Sequence, residues 1–376
     1  MKPSIQERYA VSPFFVFFLV HANMVGIGIF GYQRKLIESA GYDSWISVII
    51  TGISTHLLMW MMYSMLKTGA SDIMDLHIRC FGTWLGKLMS LLVLVYVLVA
   101  AFIIFRSYVE IVKIIIFPLM PTWSMSILVI LLLYYIVSGG FRAVTGICLF
   151  GVTLPFLLMA PLFVFPLEYV HPNNILPLFS HTVHELFMSA KEVIFNFAGF
   201  ELLFFYYPFI KNPQQSQKWA HAALLFTTVL YLALTMITFM FFTEGELENI
   251  LWPTLTMIKI IEIPIIQRIE FIVVSLWLLV VLPNICLNVW AVTRGMKQLF
   301  NLKQRRTLVA VLLILMFSST GMESRADLME LSKLYGTAAL YFLYGYVPFL
   351  FLVYHLWGKR RGRNTLLSSN HEINEA

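Results

Sequence analysis

Two short stretches carry residues that an ordinary apolar helix would not choose. Asn23-Met24-Val25-Gly26-Ile27-Gly28-Ile29-Phe30 sets an amide and two glycines in the middle of one apolar run. Phe195-Asn196-Phe197-Ala198-Gly199-Phe200-Glu201 sets a glycine and a carboxylic acid inside another. Glycine costs about 1 kcal/mol relative to alanine in a helix and tolerates dihedrals that other residues avoid. A helix unwound there frees backbone N–H and C=O groups, which lipid cannot answer; they must be buried in protein or turned to water or ligand. The N-terminus of the following half-helix offers positive potential to a carboxylate, and the freed carbonyls suit an ammonium. A zwitterionic amino acid meets both needs. The competing reading is close helix packing through small residues, although Gly26 and Gly28 lack the four-residue spacing of a helix-dimer motif. The candidate ligand-binding set begins with Asn23, Val25, Gly26, Ile27 and Gly28. It continues with Phe197, Ala198, Gly199, Phe200 and Glu201, in which Phe197 and Phe200 stand near enough to the break to wall a pocket.

Other polar groups at membrane depth are costly and so are candidates for function. Asn284 and Asn288 share one helix face beside Pro283, where a kink exposes carbonyls. They either face the same cavity or bridge helices, and they complete the set. Glu201 either lines the cavity at a half-helix N-terminus or only caps that helix. Arg106 and Glu110 stand four apart and can pair locally. His21 and His56 read as buried, hydrogen-bonded histidines rather than a proton relay. Cys80, Cys148 and Cys286 are widely spaced and form no zinc or redox pattern. No His, Cys and carboxylate cluster has metal spacing, and neither a nucleophile elbow nor a phosphate-cradling loop is present. No cofactor, metal site or enzymatic activity is expected.

The elements that must position these residues follow from composition. Of 376 residues, 59% are hydrophobic and 12% charged, against about a quarter charged in soluble proteins. A water-soluble fold is excluded, and an all-α integral membrane protein is expected. Ten apolar windows of about membrane length can be placed: 11–31, 44–66, 84–117, 124–138, 144–166, 183–208, 219–243, 270–293, 307–322 and 335–357. The third exceeds one bilayer crossing and must tilt or protrude. The first has no small-residue cleavage site and reads as a retained helix. With the N-terminus inside, 17 of the 26 Lys and Arg residues fall on the cytoplasmic side, while outer loops hold Glu244, Glu246, Glu248, Glu262, Glu323, Asp327 and Glu330. Both termini are therefore expected in the cytoplasm. The tail over 358–376 is basic, then polar, and anchors the chain inside with contacts to anionic membrane lipids rather than nucleic acid. Ten spans divide into two fives, about 11–166 and 183–357, within a single transmembrane domain. An odd number per repeat inverts the second copy, and a broken helix at matching places is the mark of such transporters. Gly26 and Gly199 are 173 residues apart and fall in spans one and six.

Gly26-Ile27-Gly28-Ile29-Phe30 resembles the first-helix signature of the amino acid–polyamine–organocation transporters, and Phe195 to Glu201 resembles their sixth-helix signature. Over nearly its whole length the chain resembles the permease-like B subunit of bacterial endospore germinant receptors. That resemblance implies a leucine-transporter-like five-plus-five fold with helices 1 and 6 broken. It also implies a complex in the spore inner membrane with an A subunit and a C lipoprotein, and a role in sensing an amino acid or other small nutrient. Sodium-coupled relatives carry neighbouring hydroxyls in span eight, and proton-coupled ones often a lysine in span five. Span eight here has no hydroxyl pair, and 144–166 holds no Lys, Arg, His, Asp or Glu. Nutrient sensing without coupled uptake is the leading expectation. A secondary amino acid transporter and a ligand-free structural scaffold are the alternatives.

Overall fold

The computed structural model describes residues 7–67, 72–261, 268–322 and 324–358; the tail from residue 359 onward lies outside them. Among the described residues there are helices and turns but no strands, and one parallel bridge pairs Val11 with Ile210. The chain runs through α1 (Phe15–Met24), α2 (Tyr32–Ala40), α3 (Trp45–Lys67), α4 (Ile73–Ile115), α5 (Thr122–Ser138) and α6 (Phe141–Met159). There follow α7 (Val183–Phe197), α8 (Leu203–Tyr206), α9 (Gln217–Phe241), α10 (Glu244–Leu247), α11 (Pro253–Ile258) and α12 (Ile269–Leu276). The last are α13 (Leu278–Phe300), α14 (Gln304–Gly321), α15 (Arg325–Leu340) and α16 (Val347–Val353).

Helix lies in every expected window, but several edges differ for identifiable reasons. Span one is two half-helices, α1 and α2, separated by the 3-10 turn Ile27–Phe30, and it ends near residue 40 rather than 31. The amphipathic α2 still buries Tyr32, Gln33, Leu36 and Ile37 although its polar residues ended the apolar window. α4 begins eleven residues before its window, since Asp72 caps it by accepting from the Asp75 N–H at 2.9 Å; the chain then bends at Gly82 (φ 79°). The fifth window closes early, at Met159, where Pro161 and Pro166 cannot donate to a continuing helix and 3-10 turns follow. The tenth begins at Arg325, ten residues ahead of expectation, with the Ser324 hydroxyl accepting from the Ala326 N–H at 3.1 Å. It continues through a π-helical stretch, Tyr341–Tyr346, into α16.

Among the described residues six helical stretches are long and apolar enough to cross a membrane: Tyr32–Lys67, Ile73–Ile115, Phe141–Tyr169, Pro213–Phe241, Ile269–Phe300 and Arg325–Leu356. Phe15–Met24 and Thr122–Ser138 are apolar but shorter. α13 is the hub: it packs against α4, α6, α14 and α1, and every residue from Val280 to Thr293 is buried. α1 packs on α9 and α6 as well, so its broken end sits in the middle of the bundle.

Polar ties join distant parts of the chain. Asp43, 2% exposed in the turn after α2, accepts from the N–H groups of Phe179 (2.7 Å), Ser180 (2.7 Å) and His181 (3.1 Å). Its carboxylate also takes the Ser180 hydroxyl. The buried Arg106 donates through Nε to the Met322 carbonyl at the end of α14 and through a terminal nitrogen to Glu110, the local pair the spacing suggested. The histidines are satisfied too: His21 Nδ1 lies 2.7 Å from the Thr227 hydroxyl, and His56 Nδ1 lies 2.8 Å from His221 Nδ1. Hydrogen bonds to a charged group contribute about 1.5–3 kcal/mol. Asp43→Ala should therefore lower stability by about 2 kcal/mol, read as an earlier thermal unfolding midpoint in detergent, with faster proteolysis in the 179–181 loop.

Candidate functional site

The two glycine-bearing stretches are breaks, and they meet. α1 ends at Met24, Val25 and Gly26 are extended, and the chain re-enters helical conformation at Ile27. α7 ends at Phe197, Ala198 is extended, and Gly199 takes φ 118°, a region that side chains disfavour. A Cβ on Gly199 would lie 2.4 Å from the Asn23 carbonyl oxygen, so glycine is required by contact as well as by dihedral.

The amide of Asn23 joins the breaks. Its Nδ2 donates to the Gly199 carbonyl at 2.8 Å, and its Oδ1 accepts from Asn288 Nδ2 at 3.0 Å. Its backbone carbonyl accepts from Asn284 Nδ2 at 3.0 Å. Asn288 Nδ2 also lies within reach of the Asn284 carbonyl and Oδ1. One residue further, the Tyr231 hydroxyl donates to the Met24 carbonyl at 3.2 Å. The carbonyls of Asn23, Met24 and Gly199 are thus answered by side chains, which corrects the expectation that they stand open for an ammonium. Glu201, 3% exposed, accepts from the Gly199 N–H at 2.6 Å through one oxygen and from the Tyr96 hydroxyl at 2.8 Å through the other. It caps its own half-helix and lines the cavity as well.

Between the breaks lies a cavity of about 140 Å³. Of the candidate residues, Asn23, Gly26, Ile27, Gly28, Ala198, Gly199, Glu201, Asn284 and Asn288 line it. Three candidates fall elsewhere. Val25 turns to a separate apolar cavity beside α6 and α9. Phe197 and Phe200 are buried in the core, with Phe197 packed on the Tyr231 ring at 5.1 Å. An aromatic beside a break follows its own helix face, and these two faces point into the bundle.

Sequence reasoning missed Asn196, Ser107, Tyr231, Ser332 and Tyr335, all of which line the cavity. Asn196 stood inside the second motif, and an amide at that depth was itself a signal. Its Oδ1 is buried without a hydrogen-bond partner among the described residues, and a Cβ on Gly28 would approach it to 2.0 Å. Ser332 lay outside the tenth window because that window opened too late. Among the described residues no Lys, Arg or His lines the cavity, and Glu201 is its one carboxylate. The site can accept and donate hydrogen bonds to a small polar guest, with the free acceptor at Asn196. Nothing in it resembles a nucleophile with its base, and no group of three or more metal-ligating side chains occurs among the described residues.

The glycines should separate by experiment. Gly199→Ala forces a side chain into a left-handed dihedral and should cost about 1–3 kcal/mol in thermal unfolding. At Gly26 the backbone is extended (φ −147°) and a Cβ would meet only Asn284 Nδ2 at 3.4 Å. Gly26→Ala should therefore change stability by less than about 1 kcal/mol.

The comparisons agree with this architecture. The family described as Spore germination protein matches residues 10–328. Spore germination protein GerQB of Bacillus cereus is 37% identical over 349 residues, covering 93% of this chain and 97% of its own. Spore germination protein B2 of Bacillus subtilis (strain 168) is 23% identical, covering 80% and 82%. Among solved structures, a substrate-bound, outward-open Na+-coupled sialic acid symporter aligns with a TM-score of 0.67 at 13% identity, covering 93% of this chain and 81% of that one. With the broken helices in place, the fold is leucine-transporter-like. The chain belongs to the spore germination permease family of integral membrane proteins.

Proposed function

We propose that this chain is the nutrient-sensing B subunit of a spore germinant receptor. A small hydrophilic nutrient, best matched by an amino acid, binds mid-membrane between the breaks of α1 and α7 and triggers germination, with ion release as the gated step. The carrying observation is the cavity of about 140 Å³, which Glu201 lines together with Asn196, whose buried Oδ1 has no partner among the described residues. The set that contacts the guest is Asn23, Gly26, Ile27, Gly28, Asn196, Ala198, Gly199, Glu201, Asn284 and Asn288. In this reading the ten windows are ten crossings in two inverted repeats, and both termini lie in the cytoplasm. The protein resides in the spore inner membrane with an A subunit and a C lipoprotein.

The mechanism is competition. A ligand that hydrogen-bonds Asn23 or Asn288 replaces an existing tie between α1, α7 and α13. Those helices then repack, and a ligand shifts the balance only by its difference in affinity for the two packings. Sensing is favoured over coupled uptake because α13 offers no neighbouring pair of hydroxyls and α6 carries no lysine.

A panel of amino acids, sugars and nucleosides should contain ligands that raise the unfolding midpoint of the purified chain. Asn288→Leu should abolish that shift, and with it the germination response, in spores holding normal protein levels. Sealed vesicles containing the chain should not concentrate the ligand. Accumulation against a gradient would replace sensing with secondary transport, and a panel without any stabilising ligand would leave a scaffold.

A further inference from the structure

A further, larger hollow opens where α13 hands over to α14. Asn301 takes a left-handed turn (φ 54°), and the chain passes through Leu302 and Lys303 into α14. The furrow between α4, α13 and α14 has a volume of about 600 Å³, about four times that of the central cavity. Its walls are apolar, with Leu91 and Leu98 from α4, Met296 from α13, and Ala310 and Ile314 from α14. Its mouth carries Lys303 and Arg306, both exposed.

The charge pattern is one-sided. From Phe271 to Met322 the sequence holds Arg294, Lys297, Lys303, Arg305 and Arg306 and no acid at all. Arg305 turns away, its Nε donating to the Tyr134 hydroxyl at 3.1 Å. Asp72 is held by Gln298 at 2.6 Å and by the Asp75 N–H. Among the described residues neither Lys303 nor Arg306 is in an ion pair. The order along α14 is cations first and apolar wall after, spanning roughly 16 Å from Lys303 to Ile314 at about 1.5 Å per residue. That is the order of a phospholipid, headgroup then acyl chain. Basic pockets between membrane helices suit anionic headgroups.

We propose that this furrow binds an anionic phospholipid, its phosphate on Lys303 and Arg306 and an acyl chain along α4 and α14. The test is native mass spectrometry of the full chain, extracted from vesicles of phosphatidylglycerol or of phosphatidylcholine. The wild type should retain phosphatidylglycerol in preference to phosphatidylcholine. Lys303→Ala with Arg306→Ala should weaken phosphatidylglycerol retention about fivefold for each cation lost, without changing phosphatidylcholine. Ala310→Trp keeps both cations and fills the furrow, and it should release the lipid as well. Thermal unfolding of each variant reports that it is folded. Equal retention of the two lipids, or indifference to Ala310→Trp, would overturn the assignment. So would a furrow that holds no lipid but is shielded when other receptor subunits co-purify, since it would then be a protein face.

Discussion

The side-chain amide of Asn23 is the interaction on which the rest of the centre depends. Backbone polar groups inside a membrane must find partners in the protein, because lipid supplies none. Breaking two helices at the same depth creates such a debt twice. Asn23 settles part of both by reaching from the end of α1 to the Gly199 carbonyl of the α7 break. Asn284 and Asn288 on α13 then hold Asn23 itself. Each hydrogen bond is worth only about 1 kcal/mol net, yet leaving one partner unpaired costs more. Three helices are therefore tied at a single residue, and none can shift without disturbing the others. In the proposed sensing mechanism this shared tie is what a ligand exchanges to favour another packing of the bundle.

The surrounding helices keep the ends of the broken ones in place. Thr254 on α11 donates to the Ile29 carbonyl at 2.9 Å and accepts from Gln33 Nε2 at 2.7 Å, so the start of the second half-helix is closed by the loop after α9. Tyr32 donates to the Tyr231 carbonyl at 2.6 Å and fixes the same half-helix to α9. The Asp43 clasp pins the turn after α2 to the chain that leads into α7. At the cavity itself one buried polar atom is left unsatisfied, Asn196 Oδ1, which has no partner among the described residues. A buried acceptor of this kind is costly to leave empty and is met most simply by a donor on a guest.

Much of this was legible in the residues. Glycines at 26, 28 and 199 marked both breaks, and Asn284 and Asn288 declared themselves as amides on one face of an apolar helix. Their two readings, cavity and bridge, turn out to be one arrangement, since the same amides do both. The position of Glu201 likewise serves capping and lining together. Side-chain direction was not legible. Val25 and Phe200 flank the glycines in sequence, but an extended residue and a turn rotate them away from the hollow. Window edges were weak wherever a polar first turn precedes the apolar run, which hid Ser332 on α15 and the capped start of α4. Which amide answers which carbonyl depends on helices more than 170 residues apart in sequence, as Asn23 and Gly199 are, and no local pattern encodes it.

The central claim is that a polar guest occupies the hollow between the breaks. The native cysteines are all buried, so a thiol introduced by Ser332→Cys at the cavity wall can be followed selectively. The rate at which a small alkylating reagent modifies it, with and without a nutrient, tests the claim directly. Nutrients that trigger germination should slow the reaction in a saturable way, and inactive ones should leave it unchanged. Modification at one rate under saturating concentrations of every active nutrient would contradict the account.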